Sequence, residues 1–83
     1  DINKLIEGIV EKLRFEVHQK QMELETELSP LYPIQIDVIL MNRVISNLVE
    51  NAIKYAGKGK KVLVKTWDDA DWVYIEVQDN GVG

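Results

Sequence analysis

The chain has 83 residues, a formal net charge of -4 and no cysteine. This length suits one small domain, and the 46% of apolar residues is enough for a globular core. Without cysteine, disulfides, thiol nucleophiles and thiolate metal sites are excluded. The acidic balance argues against nucleic acid as a partner, because no basic stripe is present to neutralise phosphates. No apolar run approaches the roughly 20 residues of a membrane span, so we expect no membrane contact by this segment.

The first half of the sequence predicts a helix followed by a strand. Apolar residues recur at helical spacing over residues 1–21, which indicates an amphipathic helix. Over residues 22–28 apolar side chains alternate with glutamates, as in a half-buried strand whose acidic face meets solvent. Pro30 and Pro33 then interrupt both patterns and predict a connecting loop.

A second helix is predicted from its caps. Asp37 is a good N-cap, because its carboxylate can accept hydrogen bonds from the free amides of the first turn, and the helix should end near Ala56. Gly57 suits a left-handed conformation just past the end of the helix. Lys54 and Lys58 suit the negative end of the helix dipole.

The remaining sequence predicts a β-hairpin. Strands are indicated over residues 61–67 and 72–78, joined by an acidic turn at residues 68–71. Trp67 and Trp72 flank this turn and are interpreted as hairpin packing. The order helix-strand-helix-strand-strand implies an α+β fold, a two-layer sandwich with both helices on one face of the sheet.

The second predicted helix carries an unusual polar stripe. At about 100° per residue, Asn47, Asn51 and Lys54 fall within about 60° of one another, with Arg43 beside them. Asparagine is unfavourable inside a helix, because its amide competes for backbone hydrogen bonds. Its carbonyl is an oxygen ligand that magnesium accepts, and the lysine can contact phosphate. The alternative is a solvated helix face with two incidental asparagines.

The last predicted strand runs into a glycine-containing loop, Asp-Asn-Gly-Val-Gly, at residues 79–83. Glycines there allow a ligand to approach the backbone closely. The Asp79 carboxylate can only accept when ionised, so it would favour the amino group of adenine over the carbonyl of guanine. The alternative is an ordinary turn, because Asp-Asn-Gly is a strong turn signal.

Together these motifs resemble the catalytic and ATP-binding domain of sensor histidine kinases, in the superfamily shared with gyrase, MutL and the heat-shock chaperone ATPases. The segment 47–55, Asn-Leu-Val-Glu-Asn-Ala-Ile-Lys-Tyr, is similar to the N box of that family, and residues 79–83 are similar to its first glycine box. The resemblance covers residues 1–83, and it implies the N-terminal part of a Bergerat-type ATP-binding domain.

The resemblance implies ATP and Mg2+ as ligands and gives roles to the N-box residues. Asn51 would ligate magnesium, and Asn47 would lie alongside the phosphates. Lys54 would contact phosphate, and Tyr55 would pack against the nucleotide. Glu50 receives no role.

The glycine box would hold the other end of the nucleotide. The resemblance implies that Asp79 hydrogen-bonds adenine and that Gly81 and Gly83 let the loop wrap the base. It assigns no catalytic residue within the chain.

The implied activity is that of a protein-histidine kinase. Its ATP-binding domain donates the γ-phosphoryl group to a histidine on the dimerisation and phosphoacceptor domain of the same kinase, and the parent protein acts on a response-regulator receiver domain.

Hydrolysing members of the superfamily carry a glutamate base where this chain has Asn47. An amide cannot take a proton from water, which favours phosphoryl transfer over hydrolysis. His18, the only histidine, lacks the neighbours of the family's phosphoacceptor.

The family's domain continues with a lid and further glycine boxes, which this sequence does not contain. Because the chain starts at Asp1 and stops at Gly83, we expect it to be a piece of a longer cytoplasmic or membrane-anchored protein. Alone it should be inactive, because phosphoryl transfer needs a complete site. Its sheet would have an unpaired edge, so we expect the isolated piece to be either marginally folded or completed by contacts outside this sequence. The alternative function is a truncated or degenerate module of the same fold that serves protein interaction without catalysis.

Overall fold

Two helices and three strands form the chain in the computed structural model, which describes residues 1–57 and 59–79. The elements are α1 (Ile2–Gln19), β1 (Glu23–Leu28), α2 (Val38–Ala56), β2 (Lys61–Asp68) and β3 (Val73–Asp79). This order confirms the predicted α+β fold. The elements could be predicted because hydrophobic periodicity is a local property of the sequence.

Both helices begin at an aspartate that caps them. The Asp1 carboxylate accepts from the backbone N–H of Asn3 at 2.9 Å, and the Asp37 carboxylate accepts from Leu40 at 3.0 Å. The predicted cap at Asp37 is therefore confirmed, whereas the cap at Asp1 was missed. Gly57 has φ 95° and ψ 166°, so its positive φ was predicted correctly. Its extended ψ differs from the left-handed helical conformation and is accessible to little besides glycine.

The sheet has the order β1-β2-β3. Strands β1 and β2 run parallel, with Glu23 opposite Lys61, and β3 returns antiparallel, with Asp79 opposite Val62. Both helices pack on one face of this sheet, α1 against β1 and α2 against β2 and β3. The register brings the last residue of β3 to the end of the sheet where β2 begins, shortly after α2 ends.

The core lies between the helices and the sheet. Its fully buried side chains come from both helices and from β2, and they are Ile6, Ile45, Val49, Ile53, Val62 and Val64. Val73, Ile75 and Val77 of β3 pack against the margin of this core. The predicted two-layer sandwich is therefore confirmed. No helix in the described part of the chain is long and apolar enough to cross a membrane.

A polar clamp joins α1 to the sheet. Thr66 of β2 is 2% exposed, and its hydroxyl donates to Asn3 Oδ1 at 2.8 Å. Asn3 Nδ2 donates in turn to the carbonyl of Ser29 at 2.7 Å, and the N–H of Ser29 donates to the carbonyl of Thr66 at 3.2 Å. The clamp satisfies the Thr66 hydroxyl, which would otherwise be costly to bury.

The outer face of the sheet carries charges and aromatic rings. Glu25 pairs with Lys61 at 3.0 Å and raises the pKa of that lysine, mainly through their hydrogen bond. Glu27 lies 3.8 Å from Lys65. The predicted solvated face of β1 therefore also forms ion pairs with β2. Trp67 stacks on Tyr74 with ring centroids 5.2 Å apart. The predicted hairpin packing thus applies to Trp67, whereas the other tryptophan of the hairpin projects into solvent.

Candidate functional site

The predicted polar stripe lies on the outward side of α2. Asn47, Asn51, Lys54 and Arg43 are all exposed, because the buried arc of the helix is occupied by apolar side chains that face the sheet. Neither Asn47 nor Asn51 has a side-chain hydrogen bond to residues 1–57 or 59–79. The stripe therefore presents amide groups that are available to a ligand.

The other described asparagines behave differently. Asn42, also on α2, accepts a hydrogen bond from the hydroxyl of Ser46 at 3.0 Å and is half-buried. Asn3 belongs to the polar clamp with Thr66. These amides have structural partners, so a structural explanation suffices for them. The contrast singles out Asn47 and Asn51 as the amides whose presence in a helix the local packing does not explain.

Lys54 and Tyr55 form a pair at the end of the stripe. The Lys54 ammonium lies 5.2 Å from the centroid of the Tyr55 ring, within the range of a cation–π contact. The tyrosine side chain is 75% exposed. A cation and an aromatic face are thus displayed side by side at the last turn of the helix. Such a pair can offer positive charge to phosphate and an apolar surface to a base or sugar.

Asp79 occupies the same side and the same end of the sheet as these residues. Side chains alternate along a strand, and Val73, Ile75 and Val77 pack into the core, so Asp79 lies on the helix side of the sheet. It is exposed at the end of β3, opposite Val62. The topology therefore brings the carboxylate to the sheet end beneath the last turns of α2, where Asn51, Lys54 and Tyr55 lie.

Two predicted site residues lie outside the described residues. They are Gly81 and Gly83, which belong to the predicted glycine box together with Asn80 and Val82. Lys58, predicted to lie near the negative end of α2, is outside them as well. The roles of these residues, like the individual ligand roles of the α2 stripe and Asp79, remain predictions.

An apolar strip beside the amides was missed from sequence. Val44 and Leu48 are 43% and 48% exposed, although the helical wheel places them in one broad apolar arc with Ile45 and Val49. The sheet and α1 cover only part of that arc, so it divides into a buried half and an exposed half. The sequence did contain a signal for this strip. The apolar arc of the helical wheel is wider than the about 100° that one packed helix face needs.

The main concavities of the described chain do not include the amides. A shallow one of about 400 Å³ lies between the ends of the two helices, where Lys54 meets Gln21, Met22 and Gly57. Asn47, Asn51 and Asp79 do not line this concavity.

The donor set is compatible with magnesium carried by a nucleotide. Over residues 1–57 and 59–79 no three histidine, cysteine, aspartate or glutamate side chains form a metal cluster. Magnesium usually keeps waters and phosphate oxygens and takes only one or two protein ligands. The exposed Asn51 amide fits that limited demand, whereas a cage made wholly of protein ligands has no basis in the described residues.

Comparison with known proteins places these observations in a family. Residues 36–83 match the family described as "Histidine kinase-, DNA gyrase B-, and HSP90-like ATPase". Sensor protein RprX of Bacteroides fragilis is 30% identical over 86 residues, covering 100% of this chain and 17% of that protein. Two-component system protein A of Emericella nidulans is 34% identical over 91 residues, covering 100% of this chain and 13% of that protein. The chain thus spans less than a fifth of these curated relatives.

Solved structures share the fold. The catalytic domain of histidine kinase ThkA superimposes with a TM-score of 0.91 at 22% identity, covering 99% of this chain and 57% of that chain. The histidine kinase AdeS of Acinetobacter baumannii superimposes with a TM-score of 0.85 at 22% identity, covering 100% of this chain and 41% of that chain. The resemblance stated from the sequence is therefore confirmed. With the family match extending over more than half of its length, the chain belongs to the histidine kinase-, DNA gyrase B- and HSP90-like ATPases, and its fold is that of a histidine kinase catalytic domain.

Proposed function

We propose that this chain binds magnesium-ATP within a two-component sensor histidine kinase. The observation that carries the proposal is the pair of unpartnered amides, Asn47 and Asn51, on the exposed side of α2. They lie on the helix that leads to the sheet end where Asp79 terminates β3. Membership of an ATPase family supports ATP as the nucleotide. The chemistry of these side chains supports where its phosphates and its base would lie.

The phosphate end of ATP would lie along the stripe. Asn51 would supply a neutral oxygen ligand to magnesium, with Asn47 beside the phosphates and Lys54 offering its ammonium to a phosphate oxygen. Bound magnesium neutralises charge on the phosphates. Lys54 is exposed, so its ammonium can reach a phosphate without first being desolvated by the protein.

The base end would lie toward β3. Tyr55 is largely exposed and can pack against the nucleotide. Asp79, at the strand end, would accept a hydrogen bond from the amino group of adenine. Gly81 and Gly83 would complete this end of the site.

The acceptor of the γ-phosphoryl group would be a protein histidine rather than water. Asn47 stands where hydrolysing relatives have a glutamate base, and a neutral amide cannot activate water at neutral pH. His18 is exposed in the last turn of α1 and has no acidic partner among residues 1–57 and 59–79. We therefore place the acceptor on a separate dimerisation and phosphoacceptor domain of the same kinase.

The partner downstream would be a response-regulator receiver domain. Histidine kinase ThkA has been solved in complex with response regulator protein TrrA, and the fold of this chain matches that kinase with a TM-score of 0.89. By analogy, the protein that carries this chain would pass its phosphoryl group to a receiver domain. The ATP-binding segment would work on the cytoplasmic side, where ATP is available, whether or not the parent is anchored in a membrane.

The decisive experiment compares two asparagines on one helix. Magnesium-ATP is titrated into the full-length protein by calorimetry, with Asn51→Ala as the test and Asn42→Ala as the matched control. We expect Asn51→Ala to abolish magnesium-dependent binding, because it removes an oxygen ligand. Asn42→Ala should retain binding, since that side chain only accepts from Ser46. Tight magnesium-ATP binding by Asn51→Ala would refute the assignment.

Two further measurements address the base and the acceptor. Asp79→Asn should weaken ATP binding and reduce its preference over GTP, because an amide can also donate to the guanine carbonyl. With γ-labelled ATP, the full-length protein should retain label on a histidine, and His18→Gln should not remove it. Steady release of inorganic phosphate without protein labelling would favour hydrolysis instead.

A further inference from the structure

A second distinctive surface lies at the far end of the sheet from Asp79. There a cleft of about 400 Å³ opens between the loop after β1 and the turn of the β2–β3 hairpin. We call it the aromatic cleft, and the residues that line it include Tyr32, Ile34, Asp68, Asp69, Asp71 and Trp72. The register places Asp68 opposite Val73 at this end and Val62 opposite Asp79 at the other, so the cleft is separate from the proposed nucleotide site.

Large apolar side chains line the cleft without being buried. Tyr32 is 76% exposed, Trp72 is 69% exposed and Ile34 is 49% exposed. Trp67, on the same hairpin, is stacked on Tyr74, so stacking within the hairpin accounts for one tryptophan and leaves the other unexplained. Exposed aromatic side chains gathered around a concavity are the usual anchors of protein recognition.

The charged residues of the cleft all have one sign. Aspartates are its ionisable acids, and no lysine, arginine or histidine lines it. The ion pairs in the part of the chain that the structure describes involve other acids, so Asp68, Asp69 and Asp71 have no cationic partner there. The cleft therefore combines aromatic faces with uncompensated negative charge.

Hydrogen bonds fix the walls of the cleft in place. The Asp68 carboxylate accepts from the N–H of Tyr32 at 2.9 Å and so ties the loop to the hairpin. The Asp69 carboxylate accepts from the N–H of Trp72 at 2.8 Å and from the hydroxyl of Tyr74 at 2.7 Å. The aromatic side chains are thus presented on an ordered backbone, which reduces the entropy lost when a partner binds.

We propose that the aromatic cleft docks an arginine-bearing segment of a partner protein. A guanidinium can stack on a tryptophan or tyrosine ring and donate two parallel hydrogen bonds to a carboxylate. Positive charge on the partner complements the aspartates, whereas nucleic acid or an anionic membrane would be repelled. The occupant is therefore a cationic peptide segment, bound independently of ATP.

The test uses a labelled peptide that alternates arginine and serine, titrated into the full-length protein and followed by fluorescence anisotropy. We expect binding that weakens as salt is raised. Trp72→Ser should weaken binding about fivefold through loss of a cation–π contact, and Asp71→Asn should weaken it as well. The Asp71 side chain has no hydrogen bond in the described structure, so Asp71→Asn leaves the hairpin intact even if Trp72→Ser perturbs it.

Two matched control variants remove an aromatic ring and a negative charge from α1, outside the cleft. Phe15→Ser deletes an aromatic ring that is 73% exposed on α1, and Glu7→Gln deletes one exposed negative charge on the same helix. Both should bind the arginine peptide like the wild type, and Trp72→Ser should bind magnesium-ATP like the wild type. The proposal is overturned if the arginine peptide does not bind or if both cleft variants bind it normally. Equal binding of a glutamate–serine peptide or of anionic lipid vesicles would also overturn it.

Discussion

Removing the Thr66 hydroxyl should destabilise the fold, and the clamp with Asn3 allows the size of the effect to be worked out. Thr66→Val keeps the shape of the side chain, and a β-branched residue suits the strand. It loses the 2.8 Å hydrogen bond to Asn3 Oδ1, which is worth about 1 kcal/mol. Leaving a half-buried acceptor without a donor adds about 1–3 kcal/mol, and the new buried methyl returns about 0.8 kcal/mol. We expect a net loss of about 1–3 kcal/mol in the free energy of unfolding.

Urea unfolding of the protein, followed by circular dichroism, measures this loss. The matched control is Thr26→Val, because Thr26 is an exposed threonine on β1, and it should change the free energy by no more than about 0.5 kcal/mol. Asn3→Ala should be worse than Thr66→Val, since it leaves the buried Thr66 hydroxyl without a partner. The double variant should then be less destabilised than the sum of the single variants. Equal stabilities of Thr66→Val and wild type, or strictly additive losses, would refute this reasoning.

Three other predictions concern two glycines and the pH dependence of stability. Gly8→Ala should stabilise the protein by about 0.5–1 kcal/mol, because Gly8 lies inside α1 with open space around its missing Cβ. Gly57→Ala should destabilise it by about 1–3 kcal/mol, because φ 95° with ψ 166° strains any side chain; comparison of the two unfolding midpoints tests both. Asp69 has its pKa lowered, first by the hydrogen bond from Tyr74 and then by backbone N–H groups. Its stabilising contribution should therefore be present above its ordinary pKa of 3.8 and be lost as pH falls through the lower folded value. The stabilities of wild type and Asp69→Asn, measured by urea unfolding across acidic pH, should accordingly converge in that range, and a constant difference would contradict the assignment.

The helices and strands could be predicted from the sequence because their signals are local. Alternation over residues 22–28 and the Asp37 cap each involve neighbours along the chain. The amide stripe was also accessible, because Asn47 and Asn51 are one helical turn apart on an arc that the core does not use. Such features depend on backbone periodicity alone.

Features that depend on distant contacts were not accessible. The clamp joins Asn3 to Thr66, which are 63 positions apart, and nothing in either neighbourhood indicates the other. The parallel pairing of β1 with β2 depends on where α2 returns the chain. The exposure of Val44 and Leu48 follows from how much of α2 the sheet covers. Each of these is a property of the assembled layers and is absent from any single segment.

The two segments that connect α2 to its neighbouring strands differ in length. Residues 29–37 lead into the helix without regular structure, whereas residues 57–60 alone separate its last turn from β2. The short link to β2 leaves the C-terminal turns of α2 little freedom to tilt. The longer connection before α2 restrains its N-terminal turns less. Lys54 and Tyr55 therefore sit at the more constrained end of the helix. A ligand that engages them would meet a surface already in position and lose little entropy in ordering it.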